Sequence, residues 1–379
     1  MNQKKKYLLM SIDFFENTNK EDIDSFLKKS ISLDLGLVFY SRNENRLNPY
    51  KYYKTNYPDN ITFCSRDYVK KTVKKFHKSL FIVIGTKEQD FFMAVGDKLL
   101  YLFPEWYKTK EEKASKYGIH ISDTNQLLRF IKTILNQTTW FSYIKLPDET
   151  EIISLADARS EYYSKSAEEK EIIEAFESVL KKGKRKYYDI YLYHFLSAIC
   201  NSKTFDNIDI WGIFPSSSTK LNPEMLNFKE QVRVISKKKN ADNILIRHMA
   251  TDKSHYIDEA IRIKVGSARH FETICLNPVY KDKLRGKNVC IFDDYLTHGN
   301  SFECARNLLK SAGVKKIIFV TLGTFRKNYQ YQNYELDGNL FSKDYTAKLI
   351  NRCVIAKSKF TINTKAKEET ENLYNIFNL

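Results

Sequence analysis

The sequence predicts an α/β protein of two doubly wound parallel-sheet domains joined by a helical segment. Three observations carry this. At 379 residues the chain is too long for the usual single domain. Short apolar runs alternate with helix-spaced segments, the pattern of strands fed by crossover helices. The residues are 42% apolar and 14% aromatic, ample material for large buried cores, which excludes global disorder.

In the first domain (1–150), residues 7–12 form a short apolar run closed by Asp13, as in a buried parallel strand. Helical spacing over 20–29 places Ile23, Phe26 and Leu27 on one face. Strands follow at 36–40, 81–84 and 99–102, with a basic helix over 69–78 and another helix around 91–95. Residues 107–185 look less sheet-like. A helix over 127–135 precedes a charged helix over 164–182, whose Glu runs give way to Lys181, Lys182, Lys184 and Lys186. Residues 151–185 are therefore expected to form a helical connector. The second domain (186–379) opens with a helix over 187–199, then a strand over 208–214, a Ser-rich turn, a helix over 224–236 and a strand over 243–246. A long polar stretch separates these from a strand over 288–292, a helix over 301–312 ended by Gly313, and a strand over 316–321. The basic tail from Lys357 is expected to cap the domain or fray.

Sixty-two Lys and Arg against 46 Asp and Glu give a net charge of +16. Such a surplus attracts phosphate-bearing partners, though the favoured reading is Lys on solvated faces. The six cysteines (Cys64, Cys200, Cys275, Cys290, Cys304, Cys353) show no CxxC spacing and no zinc-like cluster with His, as expected of free thiols in a reducing compartment. No apolar run approaches the roughly 18 residues of a membrane helix, so a cytoplasmic protein without a membrane partner is expected.

The informative segment runs from Val289 to Ser301. An apolar strand delivers two carboxylates, Asp293 and Asp294, at its carboxyl end. A loop of Thr297, His298, Gly299 and Asn300 then leads to Ser301 and an amphipathic helix. The first turn of that helix offers free backbone N–H groups, and Gly299 allows close approach, so an anion can be cradled there. The two carboxylates would repel a phosphate and suit hydroxyl groups or a cation. A ribose 5′-phosphate satisfies both halves. Adjacent acids at a buried strand end are costly without such a partner.

This segment, DDYLTHGNS, resembles the phosphoribosyl-pyrophosphate signature of type I phosphoribosyltransferases. It departs from the TTGxT-like loop at His298 and Ser301. Leu245-Ile246-Arg247-His248, Thr251, Arg262, Phe271 and Leu284-Arg285-Gly286-Lys287 are similar to the ComF-type branch, and the likeness covers residues 186–325. The resemblance implies that Asp293 and Asp294 hold the ribose hydroxyls of 5-phosphoribosyl 1-diphosphate (PRPP), directly or through Mg2+. It implies that Thr297, His298, Gly299, Asn300 and Ser301 hold the 5′-phosphate, and that Ser216, Ser217 and Ser218 bind pyrophosphate. Arg247, His248, Lys253 and His255 would then belong to a mobile catalytic loop, with Arg247 catalytic. The reaction so implied transfers phosphoribosyl to a nitrogen acceptor such as a nucleobase. Residues 150–206 would form the hood over the base.

In the first domain, Ser11-Ile12-Asp13, Val38-Phe39-Tyr40-Ser41 and Gly85-Thr86-Lys87-Glu88-Gln89-Asp90 resemble the ordered motifs of haloacid-dehalogenase-like (HAD-like) phosphohydrolases. Asp13, Ser41 and Asp90 are the site residues this likeness implies, with a lysine from Lys70, Lys71, Lys74 or Lys75. Phe15 and Thr86 stand where the family carries acids, which implies the fold with a degenerate, ligand-sensing or structural role. Two other functions remain open on the residues alone. One is a regulator that binds PRPP or a nucleotide without turnover. The other is a nucleic-acid-binding protein using the basic surface, although no helix-turn-helix or zinc-finger signal favours it. A homodimer is one reading of the oligomeric state. By analogy, such a pairing of modules belongs to a stress, defence or nucleoside-modification system.

Overall fold

The computed structural model describes residues 5–135, 137, 139–159, 167, 170–171, 174, 188–251 and 258–377. Its centre is two six-stranded sheets. The first is wholly parallel: β1 (Lys6–Ser11), β2 (Leu35–Ser41), β3 (Ile61–Ser65), β4 (Phe81–Ile84), β5 (Leu100–Pro104) and β6 (Ile119–Ile121), in the order β3-β2-β1-β4-β5-β6. This is a Rossmann-like sheet. The chain moves outward from β1 to β3 and returns to begin again at β4. A crevice therefore opens beyond the carboxyl ends of β1 and β4.

The second sheet is mixed. β7 (Ser142–Leu146), β8 (Thr150–Asp157), β9 (Ile210–Ile213), β12 (Asn288–Leu296), β13 (Lys316–Thr324) and β16 (Thr361–Ile362) lie in the order β16-β7-β8-β13-β12-β9. The strands β8, β13, β12 and β9 are mutually parallel, while β7 and β16 run antiparallel at one edge. Two antiparallel pairs stand outside it: β10 (Leu245–Arg247) with β11 (Ile274–Leu276), and β14 (Tyr329–Gly338) with β15 (Tyr345–Ile355).

The helical connector expected from residue 151 is corrected here. Residues 150–157 form β8, an interior strand whose Ile152, Ile153 and Leu155 are fully buried. It forms a hairpin with β7, whose Leu146 pairs with Thr150, through the three-residue loop Pro147, Asp148 and Glu149, the last two at positive φ. The charged helix expected over 164–182 lies outside the described residues, apart from isolated positions. The basic helix of the first domain starts earlier than its composition suggests, at Arg66–Val73, because Ser65 caps it by accepting the N–H of Tyr68.

One apolar core runs through both sheets. Helix Tyr188–Asn201, apolar on nearly every face and buried, lies against helices Thr124–Ile134 and Lys365–Phe377 and touches β5. The tail does not fray. Ala366, Leu373 and Ile376 of its helix are buried, and Phe377 meets Phe130 and Tyr193 edge to face or tilted.

A buried charge cluster ties helix Asn300–Ser311 to its neighbours. Glu303 accepts from Arg306 at 2.6 Å, from the Tyr329 hydroxyl at 2.5 Å and from the Gln332 N–H at 2.8 Å. Arg306 also reaches Asp148 of the β7–β8 turn at 2.7 Å, and its guanidinium lies 4.2 Å from the Tyr331 ring centroid. Burial raises the pKa of Glu303, and its bonds to Arg306 partly offset the rise. All six cysteines are free. Among the described residues, no helix is long and apolar enough to cross a membrane.

Candidate functional site

Sites in parallel sheets collect where strands end at their carboxyl edge. On the mixed sheet, β9 and β12 are neighbours, with Ile213 opposite Phe292. The residues after Ile213 are Phe214, Pro215 and the serines 216–218. The residues after Phe292 are Asp293 and Asp294, still within the strand, then 297–301. The fold thus brings the two predicted loops to adjacent strand ends.

Asp293 and Asp294 are half-buried. One oxygen of Asp293 accepts the N–H of Asp294 at 2.9 Å, and one oxygen of Asp294 accepts the N–H of Tyr295 at 2.7 Å. Burial raises the pKa of both carboxyls, and for Asp293 the neighbouring Asp294 charge adds to the rise. Two hard oxygen donors on one strand end suit Mg2+ that takes its remaining ligands from a phosphate-bearing substrate. Among the described residues, no cluster of three or more His, Cys, Asp or Glu side chains is arranged to hold a metal without one.

The loop after β12 differs in detail from the expectation. The ring nitrogens of His298 are both engaged, by Glu259 at 2.9 Å and by the Asn328 carbonyl at 3.2 Å. His298 therefore braces the loop rather than adding a donor to the cradle. Asn300 Oδ1 likewise accepts from Gln332 at 3.1 Å. Gly299 has φ +84°, and a Cβ there would lie 2.0 Å from the Tyr329 ring. Its need for glycine is explained by backbone shape and by Tyr329, before any ligand is considered. Thr297, Ser301 and the first amides of helix Asn300–Ser311 are what the loop leaves for an anion.

Arg247 lies in a strand and not in a mobile loop. It ends β10, is buried, and donates to the carbonyls of Ser216 at 2.5 Å and Pro215 at 3.5 Å and to the Thr273 hydroxyl. It is an anchor for the 215–218 loop, close enough to Asp293 for their charges to interact. Ser216 and Ser218 share the Lys220 carbonyl, and the carbonyl of Ser217 accepts from Thr251. Lys253 and His255 lie outside the described residues, as does the side chain of Arg262.

On the parallel sheet, Asp13 sits just after β1 in a cavity of about 570 Å3 at the topological switch. It accepts from Ser11 at 3.1 Å and Arg46 at 3.2 Å, and pairs with Lys87 at 2.8 Å. Burial alone would raise its pKa, but Lys87, Ser11 and Arg46 outweigh burial and hold it below the usual value. The lysine that meets Asp13 is thus Lys87, beyond the end of β4, and not one of Lys70, Lys71, Lys74 or Lys75. The position of Lys87, three residues beyond a strand end, is the signal that identifies it. Ser41 ends β2 and lines the same cavity. Phe15 is packed away, stacked on Tyr50 at 4.5 Å between centroids, so no acid stands two residues beyond Asp13.

Asp90 is fully buried and accepts from Tyr40 and Arg66, both at 2.9 Å, which leaves its second oxygen unpaired. Burial pushes its pKa up to about 6 despite the Arg66 charge. The folded state then binds this proton more tightly than the unfolded chain. The contribution of Asp90 to stability should fall as pH rises from about 4 to about 6 and stay low above that. Asp90→Asn should flatten the pH dependence of the melting temperature across that window. An unchanged slope in thermal melts would assign the titration to another group.

Comparison with known proteins returns no matching family model, no similar curated protein and no similar solved structure.

Proposed function

We propose that the chain is a phosphoribosyltransferase that takes PRPP with Mg2+ and transfers phosphoribosyl to a nitrogen nucleophile such as a nucleobase, releasing pyrophosphate. One observation carries the reading. Of the adjacent parallel strands β9 and β12, β9 is followed by the serine loop, and β12 carries Asp293 and Asp294 in its carboxyl-terminal part and is followed by the loop that opens the next helix, on the same side of the sheet. In this reading the two carboxylates hold the ribose 2′- and 3′-hydroxyls. Thr297, Ser301 and the helix amides hold the 5′-phosphate. The 215–218 loop, pinned by Arg247, holds the pyrophosphate. Asp293 and Asp294 would hold Mg2+ together with the substrate, and the ion would neutralise charge on the leaving group. At the anomeric carbon the bond to pyrophosphate breaks, the bond to nitrogen forms, and the nucleophile gives up its proton. The protein's part is positioning and charge.

The site on the parallel sheet is proposed as non-hydrolytic, because Phe15 leaves no general acid beside Asp13.

The test combines turnover with proton counting. Incubation with PRPP, Mg2+ and a panel of bases should release pyrophosphate. Calorimetry in two buffers of different ionisation enthalpy should show protons released when Mg2+ and PRPP bind. The carboxyl pKa values are raised in the free protein, and a cation or hydroxyl partner lowers them. Release should therefore shrink, and affinity should grow, as pH rises. Binding with proton release but no pyrophosphate would indicate a regulator. Absence of PRPP binding would remove the reading.

A further inference from the structure

Two adjoining cavities, of about 570 and 560 Å3, open at the parallel sheet and share Arg42, Arg66 and Gln89. The first is the Asp13 cavity. The second passes helix Arg66–Val73, where Lys70 and Lys74 line it, and reaches Lys237 beyond helix Pro223–Ile235. The charges of the two differ in how they are met. In the first, Lys87 and Arg46 are matched by Asp13 and Glu16, and Arg66 is matched by Asp90. In the second, Lys70 and Lys74, together with Arg42, which lines both, are exposed and have no ion-pair partner among the described residues; Asp67 and Asp97 line it too but are outnumbered by its five cations. The surplus charge therefore faces solvent along the second cavity.

Its spacing is informative. Arg66 and Lys70 on the helix and Lys74 at its C-cap, whose backbone is still helical, follow one another at four-residue steps, about 6 Å apart along the axis. A row of cations at that pitch matches successive phosphates of an extended strand better than it matches one small anion. Phe92 forms part of the same wall and is 51% exposed, so its ring face is open to a stacking partner. Lys113 lies 5.3 Å from its centroid and adds charge at the ring. Cations in a row beside an exposed aromatic face are the two components with which proteins hold single-stranded nucleic acid: backbone neutralisation and base stacking.

We propose that this groove binds single-stranded nucleic acid, with phosphates on Arg42, Lys70, Lys74 and Lys237 and a base stacked on Phe92. The site is separate from the phosphoribosyl site, whose residues lie on the other sheet, so either reading can fail alone.

The experiment is fluorescence anisotropy on the full chain, with labelled DNA and RNA single strands of about 12 nucleotides and a duplex of equal length. Single strands should bind at least about tenfold more tightly than the duplex. The Lys70→Glu, Lys74→Glu double variant should weaken binding about tenfold or more and reduce the slope of log affinity against log salt by about 1.4, or 0.7 per lost phosphate contact. Phe92→Ala should weaken binding about tenfold with the salt slope unchanged. A control reversal at Lys343 and Lys348, exposed on and beside the β14–β15 hairpin, should change little. All these side chains are exposed, so thermal melts should match the wild type, and PRPP binding should be retained. The proposal is overturned if the control reversal weakens binding as much as the groove reversal. It is overturned equally if Phe92→Ala has no effect, or if inorganic polyphosphate competes as well as the oligonucleotide.

Discussion

The Asp293→Asn, Asp294→Asn double variant should lose about 100-fold or more in phosphoribosyl turnover while remaining folded. A carboxylate meeting a ribose hydroxyl makes a charge-assisted bond of roughly 1.5–3 kcal/mol, and asparagine keeps only the neutral part. The fold has reason to survive. Each side chain uses one oxygen to accept a neighbouring backbone N–H, and the asparagine carbonyl can do the same. The change also removes two mutually repelling carboxyls whose ionisation is disfavoured by burial, so the melting temperature at mildly alkaline pH should hold or rise. Turnover and thermal melts on the same preparation decide the matter. A marked fall in melting temperature with full activity would sink the site and leave the pair as a structural feature of the strand end.

Arg306→Met should produce the largest loss of stability of any single substitution discussed, on the order of 3–5 kcal/mol. Methionine fills much of the volume but leaves Glu303 buried without its cation, facing only the Tyr329 hydroxyl and the Gln332 N–H. The same change frees Asp148 in the turn that sets the β7–β8 hairpin. Burial already favours the protonated form of Glu303, so the deficit should shrink under mildly acidic conditions, where the orphaned carboxyl takes up a proton. Urea unfolding at mildly acidic and mildly alkaline pH reads this directly. Equal losses at both, or a loss under about 1 kcal/mol, would show that packing and not charge holds the cluster together.

Much of the parallel framework was legible because its strands are short apolar runs ended by punctuation. Thus 81–84 coincides with β4, and Asp13 and Gly85 mark strand ends as read, whereas β12 runs on past the acid pair to Leu296. What escaped was structure with a different period or a weaker boundary. In β14, Tyr329 and Tyr331 alternate with Gln330 and Gln332, a period-two signal that a search for crossover units passes over. In β8, Glu151 and the preceding Asp148-Glu149 turn give a charged start to a strand that is otherwise apolar. At the site, residue identity was legible but direction was not. Nothing in the sequence tells that His298 meets Glu259, 39 positions earlier, or that Arg247 faces the backbone of residues 215–216. Lys87 was missed because Lys70, Lys71, Lys74 and Lys75, clustered within six positions, offered a denser signal.

The closing helix Lys365–Phe377 has a consequence for how the chain can be divided. Gln126 bonds the carbonyl of Ile376 across 250 positions, and the helix completes a core that the first sheet shares with the second. Closing so long a loop costs entropy before any contact repays it, so this docking belongs to the late, slow part of folding. Neither sheet can mature into an autonomous folding unit ahead of the other. A backbone nick between them would leave two fragments that remain clasped, and either fragment synthesised alone would expose the apolar face that its absent counterpart covers.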